Sequence, residues 1–193
     1  GPYKSKSVSG LYYYIDKLLN KYSMNVYNSN KSFKQLYYKP SKSILKNNLV
    51  IYNGFDTKRF YSSTRTYNKK IIIGMVGRMS IQKNQTQVLR VLKKIKSKSN
   101  TLFQLYLIGD NTLSEGLKIK NFIKENNLSE NVVLMAAQKK IEEYYRKFDL
   151  FVLSSLYEGC PNVLFEAMLS KCICIISEGA NSDFFIKDKF NGL

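Results

Sequence analysis

After residue 68 the chain alternates short apolar segments with segments of helical periodicity, and few folds accommodate such a pattern. The apolar runs end at polar or glycine residues and read as strands buried on both faces. The segment 83–98, KNQTQVLRVLKKIKSK, places its apolar side chains along one helical stripe. Buried strands alternating with helices predict an α/β fold, a Rossmann-like doubly wound parallel sheet. The expected strands are NKKIIIGMVGR, TLFQLYLIGD, NVVLMAA, DLFVLSS and CICIIS.

Further elements are expected between the strands and at both ends of the chain. Helices are expected between the strands, and residues 181–188 are expected to begin one more after the last strand. Before the alternation we expect an amphipathic helix at 10–22, a strand and turn in MNVYNSN, a short helix closed by Pro40 and a strand in LVIYNGF. We interpret residues 1–45 as the tail of a preceding domain with its linker, and residues 46–193 as the α/β domain.

Composition and charge limit the possible partners. The chain has 193 residues, of which 44% are hydrophobic, as expected for a folded domain rather than a disordered chain. Residues 1–70 hold 14 Lys or Arg against 2 Asp or Glu, whereas residues 71–193 hold 17 against 12. The basic first part could face an anionic membrane or nucleic acid, or could simply carry solvated lysines. With no His and no CxxC pair, a zinc site is not expected, and three cysteines suit a cytosolic protein.

Two cations follow the first predicted strand, in GRMSIQKN. Arg78 would project from the carboxyl edge of that strand, and Lys83 would stand at the start of the next helix. A helix N-terminus attracts anions because its dipole and free N–H groups add to nearby side-chain charges. These residues therefore favour a diphosphate site, with two solvated surface cations as the alternative.

A second motif, SSLYEGCPNVLFEAM, follows the strand DLFVLSS. Pro161 suits the first turn of a helix, which would leave the amides of Asn162 and Val163 directed at the sheet edge. Glu158 precedes this helix and Glu166 lies about one turn inside it. A carboxylate can accept hydrogen bonds from vicinal hydroxyls of a ribose or hexose, although both glutamates could equally be solvated or capping residues. The turn EGANSD after the last strand is a weaker candidate for sugar or phosphate contacts.

The order of these motifs resembles the glycosyltransferase group 1 family, retaining enzymes of GT-B fold. The resemblance is carried by IYNGFDTKRF, GMVGRMSIQKN, LYLIGD, FDLFVLSSLYEGCPNVLFEAM and EGANSDFFIKDKFNGL, and it runs from about residue 24 to 193. It implies a nucleotide-sugar-binding domain at 46–193 and the tail of an acceptor-side domain at 1–45. It also implies that the family continues beyond Leu193, so that the chain is part of a longer protein.

The resemblance assigns roles to the candidate residues. Arg78 and Lys83 would hold the donor diphosphate and act in catalysis by stabilising it as it leaves. Glu158 would contact the donor sugar near the reacting carbon, and Glu166 would accept the ribose hydroxyls. Further donor contacts would come from the amides of Gly159, Cys160 and Asn162. No metal and no cofactor are implied, because the NDP-sugar is itself a substrate.

Three departures from the family pattern concern the sugar end of the site. The family often has Cys-Gly-x-Pro where this chain has Ser170-Lys171-Cys172-Ile173, and the missing Gly is expected to remove a left-handed helix cap. Asp183 replaces a more usual Glu, and Cys160 replaces an aromatic residue. These changes leave the diphosphate and ribose contacts in place and bear on sugar specificity.

The function expected from this resemblance is hexosyl transfer, with retention, from an NDP-sugar to a polysaccharide or lipid-linked saccharide. The basic first third suggests a cytoplasmic protein with peripheral contact to the anionic inner face of the cell membrane. One alternative is a degenerate transferase that binds nucleotide or glycan without turnover. A more distant one is a basic nucleic-acid-binding domain, but no DNA- or RNA-reading motif occurs and no nucleic-acid partner is expected. Without an acceptor site, the chain alone is expected to be inactive.

Overall fold

The structure is a computed structural model, which describes residues 15, 18–19, 22–36, 46–61, 69–112, 114–181 and 183–193. It divides into two compact units, Gly1–Gly54 and Phe55–Leu193. Among the described residues, no helix is both long enough and apolar enough to cross a bilayer.

The first unit contains two short parallel strands and a helix. Strand β1 (Asn25–Tyr27) pairs with β2 (Asn48–Val50). Helix α1 (Asn30–Leu36) follows Ser29, whose hydroxyl oxygen accepts a hydrogen bond of 3.0 Å from the Ser32 amide. This is an N-cap interaction, which satisfies one of the free amides of the first helical turn.

The division between the units falls nine residues after the boundary expected at 45, since β2 pairs with β1 and not with the larger sheet. Strand β2 also covers only the start of the expected LVIYNGF strand. Ile15, Leu18 and Leu19 are helical, in agreement with the helix expected at 10–22. The rest of that helix, apart from Tyr22 in a turn, and the expected helix end at Pro40 lie outside the described residues.

The second unit is a five-stranded parallel sheet with helices between the strands, which confirms the doubly wound α/β prediction. The strands are β3 (Lys70–Val76), β4 (Leu102–Ile108), β5 (Val132–Met135), β6 (Leu150–Leu153) and β7 (Ile173–Ile176). The helices are α2 (Gln85–Lys98), α3 (Ser114–Glu125), α4 (Glu142–Tyr145) and α5 (Asn162–Leu169).

Apolar side chains cover both faces of this sheet. On one face Ile73 and Met75 of β3 pack in a buried cluster with residues of α2 and α3. On the other face a second cluster includes Phe148, Phe151 and Leu164. A Cβ atom at Gly74 would lie 2.1 Å from the Phe148 ring, so this glycine allows the ring to lie directly on β3. Burial on both faces explains why the strands read as nearly continuous apolar runs.

The sheet order is β5-β4-β3-β6-β7, so the chain reverses its direction across the sheet at β3. Strands β4 and β5 are added on one side of β3, and β6 and β7 on the other. In open parallel sheets the crevice at such a switch point, beyond the carboxyl ends of the strands, is the usual binding place. Here the loops that follow β3 and β6 flank that point.

The helix expected at 181–188 is not present: residues 181 and 183–188 form a turn, a bend and irregular backbone, with an isolated bridge at Asp188. The Asn181 side chain replaces helical hydrogen bonds, because its Nδ2 donates to the Ile186 carbonyl at 2.7 Å and its Oδ1 accepts from the Ile186 amide at 3.0 Å. Phe184 has φ = 57°, in the left-handed region, and therefore interrupts helical geometry. Asn side chains commonly compete with the backbone in this way.

The expectation of a lost cap after α5 was also wrong, since the left-handed position is kept without glycine. Lys171 has φ = 56°. The Lys171 amide donates to the Met168 carbonyl at 2.9 Å, and the Cys172 amide donates to the Ala167 carbonyl at 3.0 Å. These two bonds form a Schellman motif, in which a lysine occupies the position that glycine fills with least strain.

Candidate functional site

The loops after β3 and β6 are joined by hydrogen bonds at the switch point. The Leu156 amide donates to the Gln82 carbonyl at 2.8 Å, and Gln82 Nε2 donates to the Tyr157 carbonyl at 2.9 Å. The Ser154 hydroxyl lies within hydrogen-bonding distance of the carbonyls of Lys83 and Asn84, at 2.9 and 3.1 Å. Backbone and side chain together therefore hold the two predicted motifs against each other.

An ion pair connects the two motifs directly. Lys83 Nζ lies 2.5 Å from Glu158 Oε1, although 75 residues separate them in the sequence. Both side chains are largely buried, with exposed fractions of 19% for Lys83 and 10% for Glu158. Two expected donor-binding residues, one from each motif, are thus in contact at the carboxyl edge of the sheet.

The loop after β7 is hydrogen-bonded to the loop that carries Glu158. The Glu158 amide donates to the Gly179 carbonyl at 3.2 Å, and the Ser177 hydroxyl donates to the Ser155 carbonyl at 2.5 Å. A Cβ atom at Gly179 would lie 2.1 Å from the Leu156 carbonyl oxygen, so only glycine lets these backbones approach this closely. The EGANSD turn therefore positions the Glu158 loop.

The Arg78 side chain is exposed. Its backbone carbonyl accepts a hydrogen bond of 3.0 Å from Gln85 Nε2, which ties it to the start of α2. The pKa of Asp110 is lowered, first by hydrogen bonds from the Thr112 hydroxyl and amide and to a smaller extent by the Arg78 guanidinium. Arg78 is therefore close enough to Asp110 to act on its charge.

Glu166, the fifth residue of α5, is partly buried beside α4. Burial raises the pKa of its carboxyl above the usual range, and the carboxylate of Glu142 acts in the same direction. A hydrogen bond from Tyr145 and the positive charge of Arg59 oppose this shift in the pKa of Glu166. Burial and the Glu166 carboxylate in turn raise the pKa of Tyr145 far above that of an ordinary tyrosine.

The remaining predicted residues lie in the loop between β6 and α5. Pro161 is the N-cap of α5, one position earlier than expected, and Asn162 is the first residue of the helix. The Pro161 carbonyl accepts a hydrogen bond of 3.0 Å from the Leu164 amide. Cys160 has a free, partly buried thiol next to this helix start, and Gly159 precedes it.

The structure thus brings Lys83 and Glu158 together, whereas the charge of Arg78 acts on Asp110 and Glu166 of α5 accepts a hydrogen bond from Tyr145 of α4. Among the described contacts, none joins Arg78 or Glu166 to the ion pair. Gln82 and Ser154 connect the motifs but were not predicted from the sequence. The same is true of Arg59 and Glu142, which form an ion pair. Gln82 and Ser154 lie inside the two motifs, so their positions next to the predicted site residues could have identified them. No signal identified the pairing of Arg59 with Glu142, 83 residues away.

The sequence matches a family model and resembles several curated proteins. The model of the family described as glycosyl transferases group 1 matches residues 56–193. A UDP-Gal:alpha-D-GlcNAc-diphosphoundecaprenol alpha-1,3-galactosyltransferase of Escherichia coli is 29% identical over 205 residues, covering 98% of this chain and 51% of that protein. The capsular polysaccharide biosynthesis glycosyltransferase CapH of Staphylococcus aureus is 27% identical, covering 86% of this chain and 45% of its own length.

Solved structures share the fold at lower identity. Alr3699/HepE of Anabaena, in complex with UDP and glucose, superposes with a TM-score of 0.77 at 19% identity, covering 92% of this chain and 50% of that one. Sucrose-phosphate synthase from Thermosynechococcus elongatus gives a TM-score of 0.79 at 20% identity, covering 100% and 50% of the two chains. The chain spans between about a quarter and a half of the length of the curated relatives it matches.

Proposed function

This chain belongs to the glycosyl transferases group 1 family, and from that premise we propose that it serves to transfer a hexosyl group from an NDP-sugar to a polysaccharide or lipid-linked saccharide with retention of configuration. The observation that carries the proposal is the Lys83–Glu158 ion pair. It lies where the loops after β3 and β6 meet, at the switch point of the sheet, which is the usual place for a nucleotide in such a fold.

We assign the donor diphosphate to Arg78 and Lys83. Both follow β3. The Lys83 carbonyl accepts a hydrogen bond from the Ser154 hydroxyl, and its ammonium group is paired with Glu158. A diphosphate that approaches Lys83 would compete with Glu158 for the ammonium group. Cations placed where negative charge develops stabilise a leaving diphosphate, because they need no reorganisation during the reaction.

We assign the two carboxylates to different parts of the donor. Glu158 lies close to the proposed phosphate position, where its carboxylate can accept hydrogen bonds from the sugar hydroxyls beside the reacting carbon. Glu166 lies further along α5 and is assigned to the ribose hydroxyls. The amides of Gly159, Cys160 and Asn162 are proposed to complete the donor contacts at the start of α5.

For the chemical step we propose that the acceptor hydroxyl forms the new bond to the anomeric carbon on the face from which the diphosphate departs. The bond between that carbon and the diphosphate oxygen breaks, and the hydroxyl proton passes to a leaving phosphate oxygen. No side chain of Phe55–Leu193 is assigned as a base in this proposal. The reaction needs no cofactor in addition to the NDP-sugar substrate.

The proposed class of acceptor is taken from the names of related proteins. The names of the Escherichia coli and Campylobacter jejuni proteins specify acceptors linked to diphosphoundecaprenol, and that of CapH specifies capsular polysaccharide biosynthesis. We therefore propose a role in cell-envelope polysaccharide synthesis, at the cytoplasmic face of the membrane. Residues 1–45 are proposed to be the end of the acceptor-side domain. On this basis the 193-residue chain alone binds the donor without transferring it.

Nucleotide binding tests the donor site. Calorimetry with UDP, GDP and ADP should identify one nucleoside diphosphate that binds, and Arg78→Ala and Lys83→Ala should each weaken that binding about tenfold or more, since each removes a charge-assisted contact. Arg90→Ala, which removes an exposed cation from the middle of α2, serves as the matched control and should leave the affinity unchanged. Equal affinities in all three variants would contradict the assignment of the diphosphate.

Turnover separates an enzyme from a module that only binds. The full-length protein should release free sugar slowly from its NDP-sugar, and should transfer it when a lipid-linked saccharide is present. Glu158→Gln should reduce both rates at least tenfold while nucleotide affinity stays within about threefold, because Glu158 is assigned to the sugar rather than the nucleotide. Donor binding without any turnover would favour the degenerate transferase instead.

A further inference from the structure

Ser154, the first residue after β6, contacts two successive carbonyls of the loop that follows β3. Its Oγ atom lies 2.9 Å from the Lys83 carbonyl oxygen and 3.1 Å from that of Asn84. The hydroxyl has a single proton, so it donates to one of these carbonyls at a time or shares the proton between them. A side chain of the β6 loop is thereby bonded to the backbone of the lysine that is assigned to the donor diphosphate.

The backbone at the start of α2 has an unusual conformation. Asn84, the N-cap residue, has φ = 53°, and its side chain makes no capping hydrogen bond to the described residues of α2. An N-cap residue usually has extended backbone and a side chain that accepts a hydrogen bond from a helix amide. The Ser154 hydroxyl therefore provides this end of the helix with a side-chain contact from a different element.

Lys83 itself is held at its backbone, along its stem and at its ammonium group. Its amide donates to the Ser80 carbonyl at 3.1 Å, and its carbonyl accepts from Ser154. The stem passes over Gly77, where an added Cβ atom would lie 3.4 Å from Lys83 Cε and 3.7 Å from its Cδ. The ammonium group is paired with Glu158. An incoming diphosphate would compete for the last of these contacts only, and the backbone contacts would remain.

We propose that Ser154 is a positioning residue for Lys83, which fixes the Lys83 backbone so that the ammonium group keeps its place when a diphosphate replaces Glu158. The identity of the ligand rests on the proposed function, whereas the contacts belong to the protein itself. A cation that is already held in place loses less freedom when it binds an anion, and small displacements of such a group are costly. The phosphate part of the affinity should therefore depend on Ser154, which is assigned no ligand contact of its own.

Removal of the Ser154 hydroxyl should loosen Lys83 without separating the two loops. The Leu156 amide would still donate to the Gln82 carbonyl, and Gln82 Nε2 would still donate to the Tyr157 carbonyl. These bonds do not involve the Ser154 side chain, so Ser154→Ala should keep the order of the strands. The net contribution of one such hydroxyl to stability is modest, and the variant is expected to fold.

The first experiment compares a ligand that carries the diphosphate with one that lacks it. Calorimetry selects the diphosphate from UDP, GDP and ADP, and ligand-observed NMR measures the affinity of the corresponding nucleoside. Ser154→Ala should weaken binding of the diphosphate to the 193-residue chain about threefold to tenfold and change that of the nucleoside less than about twofold. Ser154→Thr keeps a hydroxyl and should bind the diphosphate within about twofold of the wild type. A general loosening of the fold would weaken both ligands.

Two further variants show whether Ser154 acts through Lys83. In a Lys83→Met background, Ser154→Ala should cause no additional loss of affinity for the diphosphate, because no ammonium group is left to position. Ser97→Ala is the matched control, since the exposed Ser97 hydroxyl donates to the Lys94 carbonyl at 3.0 Å within α2. It should leave the affinity for the diphosphate unchanged.

A second measurement requires no ligand. The coupling between Lys83 and Glu158 is obtained from the unfolding equilibrium constants of the wild type, Lys83→Met, Glu158→Gln and the double variant. We expect a coupling factor of about tenfold, which should fall to about threefold or less when the cycle is repeated with Ser154→Ala in all four proteins. A substitution that only destabilised the protein would shift all four constants alike and leave the coupling factor unchanged.

The outcomes separate this inference from the proposed function. Reduced coupling together with a loss of affinity that is specific to the diphosphate supports both. Reduced coupling in a protein that binds none of the three nucleoside diphosphates supports the positioning of Lys83 and counts against the proposed nucleotide site. An unchanged coupling factor overturns the inference. So does a change in affinity that is the same for the diphosphate and the nucleoside, or absent for both in a protein that binds them.

Discussion

Lys83 and Glu158 were both expected from the sequence to contact the donor, and each was placed in its correct loop. Their contact with each other was not expected, because the sequence does not show the order of strands in the sheet. That order, with β3 beside β6, is what brings the two loops together. The same limitation applies to Arg59 and Glu142, whose pairing depends on a turn and a helix that are distant in sequence.

Gly179 offers a test of the loop network at the level of a single residue. Gly179→Ala would place a methyl group 2.1 Å from the Leu156 carbonyl oxygen, so the loop that accepts the Glu158 amide has to move. We expect a loss of about 1–3 kcal/mol in the free energy of unfolding, and weaker binding of the nucleoside diphosphate. Urea unfolding and calorimetry provide the two measurements.

Gly54→Ala is the matched control for this substitution, because a Cβ atom there meets nothing within 4 Å. It should change the free energy of unfolding by less than about 0.5 kcal/mol. If the two alanine variants are equally stable and bind the nucleotide equally well, the close approach of Gly179 to the Glu158 loop has no role in the site.

Among the elements, the strands were predicted most reliably and the helix ends least. Strands β3 to β7 follow from apolar runs, whose burial on both faces leaves a strong pattern in the sequence. The helix expected at 181–188 failed because its apolar residues fit a helix, while the decisive interaction is the local one between Asn181 and Ile186. Side-chain competition of this kind is not visible in apolar periodicity.

The end of α5 gives a prediction about helix capping. Lys171→Gly should stabilise the protein by about 0.5–1 kcal/mol, because glycine adopts the left-handed conformation without the steric cost that a Cβ atom imposes. The gain is reduced by the greater freedom of glycine in the unfolded chain. Denaturant unfolding at neutral pH measures the difference.

The end of α3 provides the comparison, since Asn127 has φ = 53° and closes the same pair of hydrogen bonds. Asn tolerates this conformation better than Lys, so Asn127→Gly should give a clearly smaller gain than Lys171→Gly. If the Lys171→Gly variant is less stable than the wild type, the lysine side chain stabilises the protein by more than its left-handed backbone conformation costs.

At the scale of the whole molecule, the positive charge is unevenly distributed. Residues 71–193 hold 17 Lys or Arg and 12 Asp or Glu, and α2 alone contributes five of the cations and no carboxylate. The net positive charge of residues 71–193 is therefore equal to the net positive charge of α2 alone. Arg90, Lys93 and Lys94 lie on the solvent side of α2, and an anionic membrane surface would attract them.

If the proposed membrane contact involves this helix, replacement of Arg90, Lys93 and Lys94 by Gln should weaken co-sedimentation with phosphatidylglycerol vesicles about tenfold or more at low salt. Replacement of Lys118, Lys120 and Lys124 of α3 by Gln removes the same number of charges and should have a smaller effect. The same loss in both triple variants would attribute the attraction to net charge alone, and equal binding to neutral vesicles would exclude an electrostatic contact.

In the proposed donor site, the contact between Lys83 and Glu158 would favour one class of ligand over others. A ligand with only a negative group could neutralise the ammonium, but it would leave the carboxylate buried beside another anion. A neutral saccharide could satisfy the carboxylate, but it would offer the ammonium nothing equivalent. A molecule that joins both chemistries within a few ångströms would replace each half of the pair at once, so the proposed donor site should discriminate against free phosphate and against free sugar.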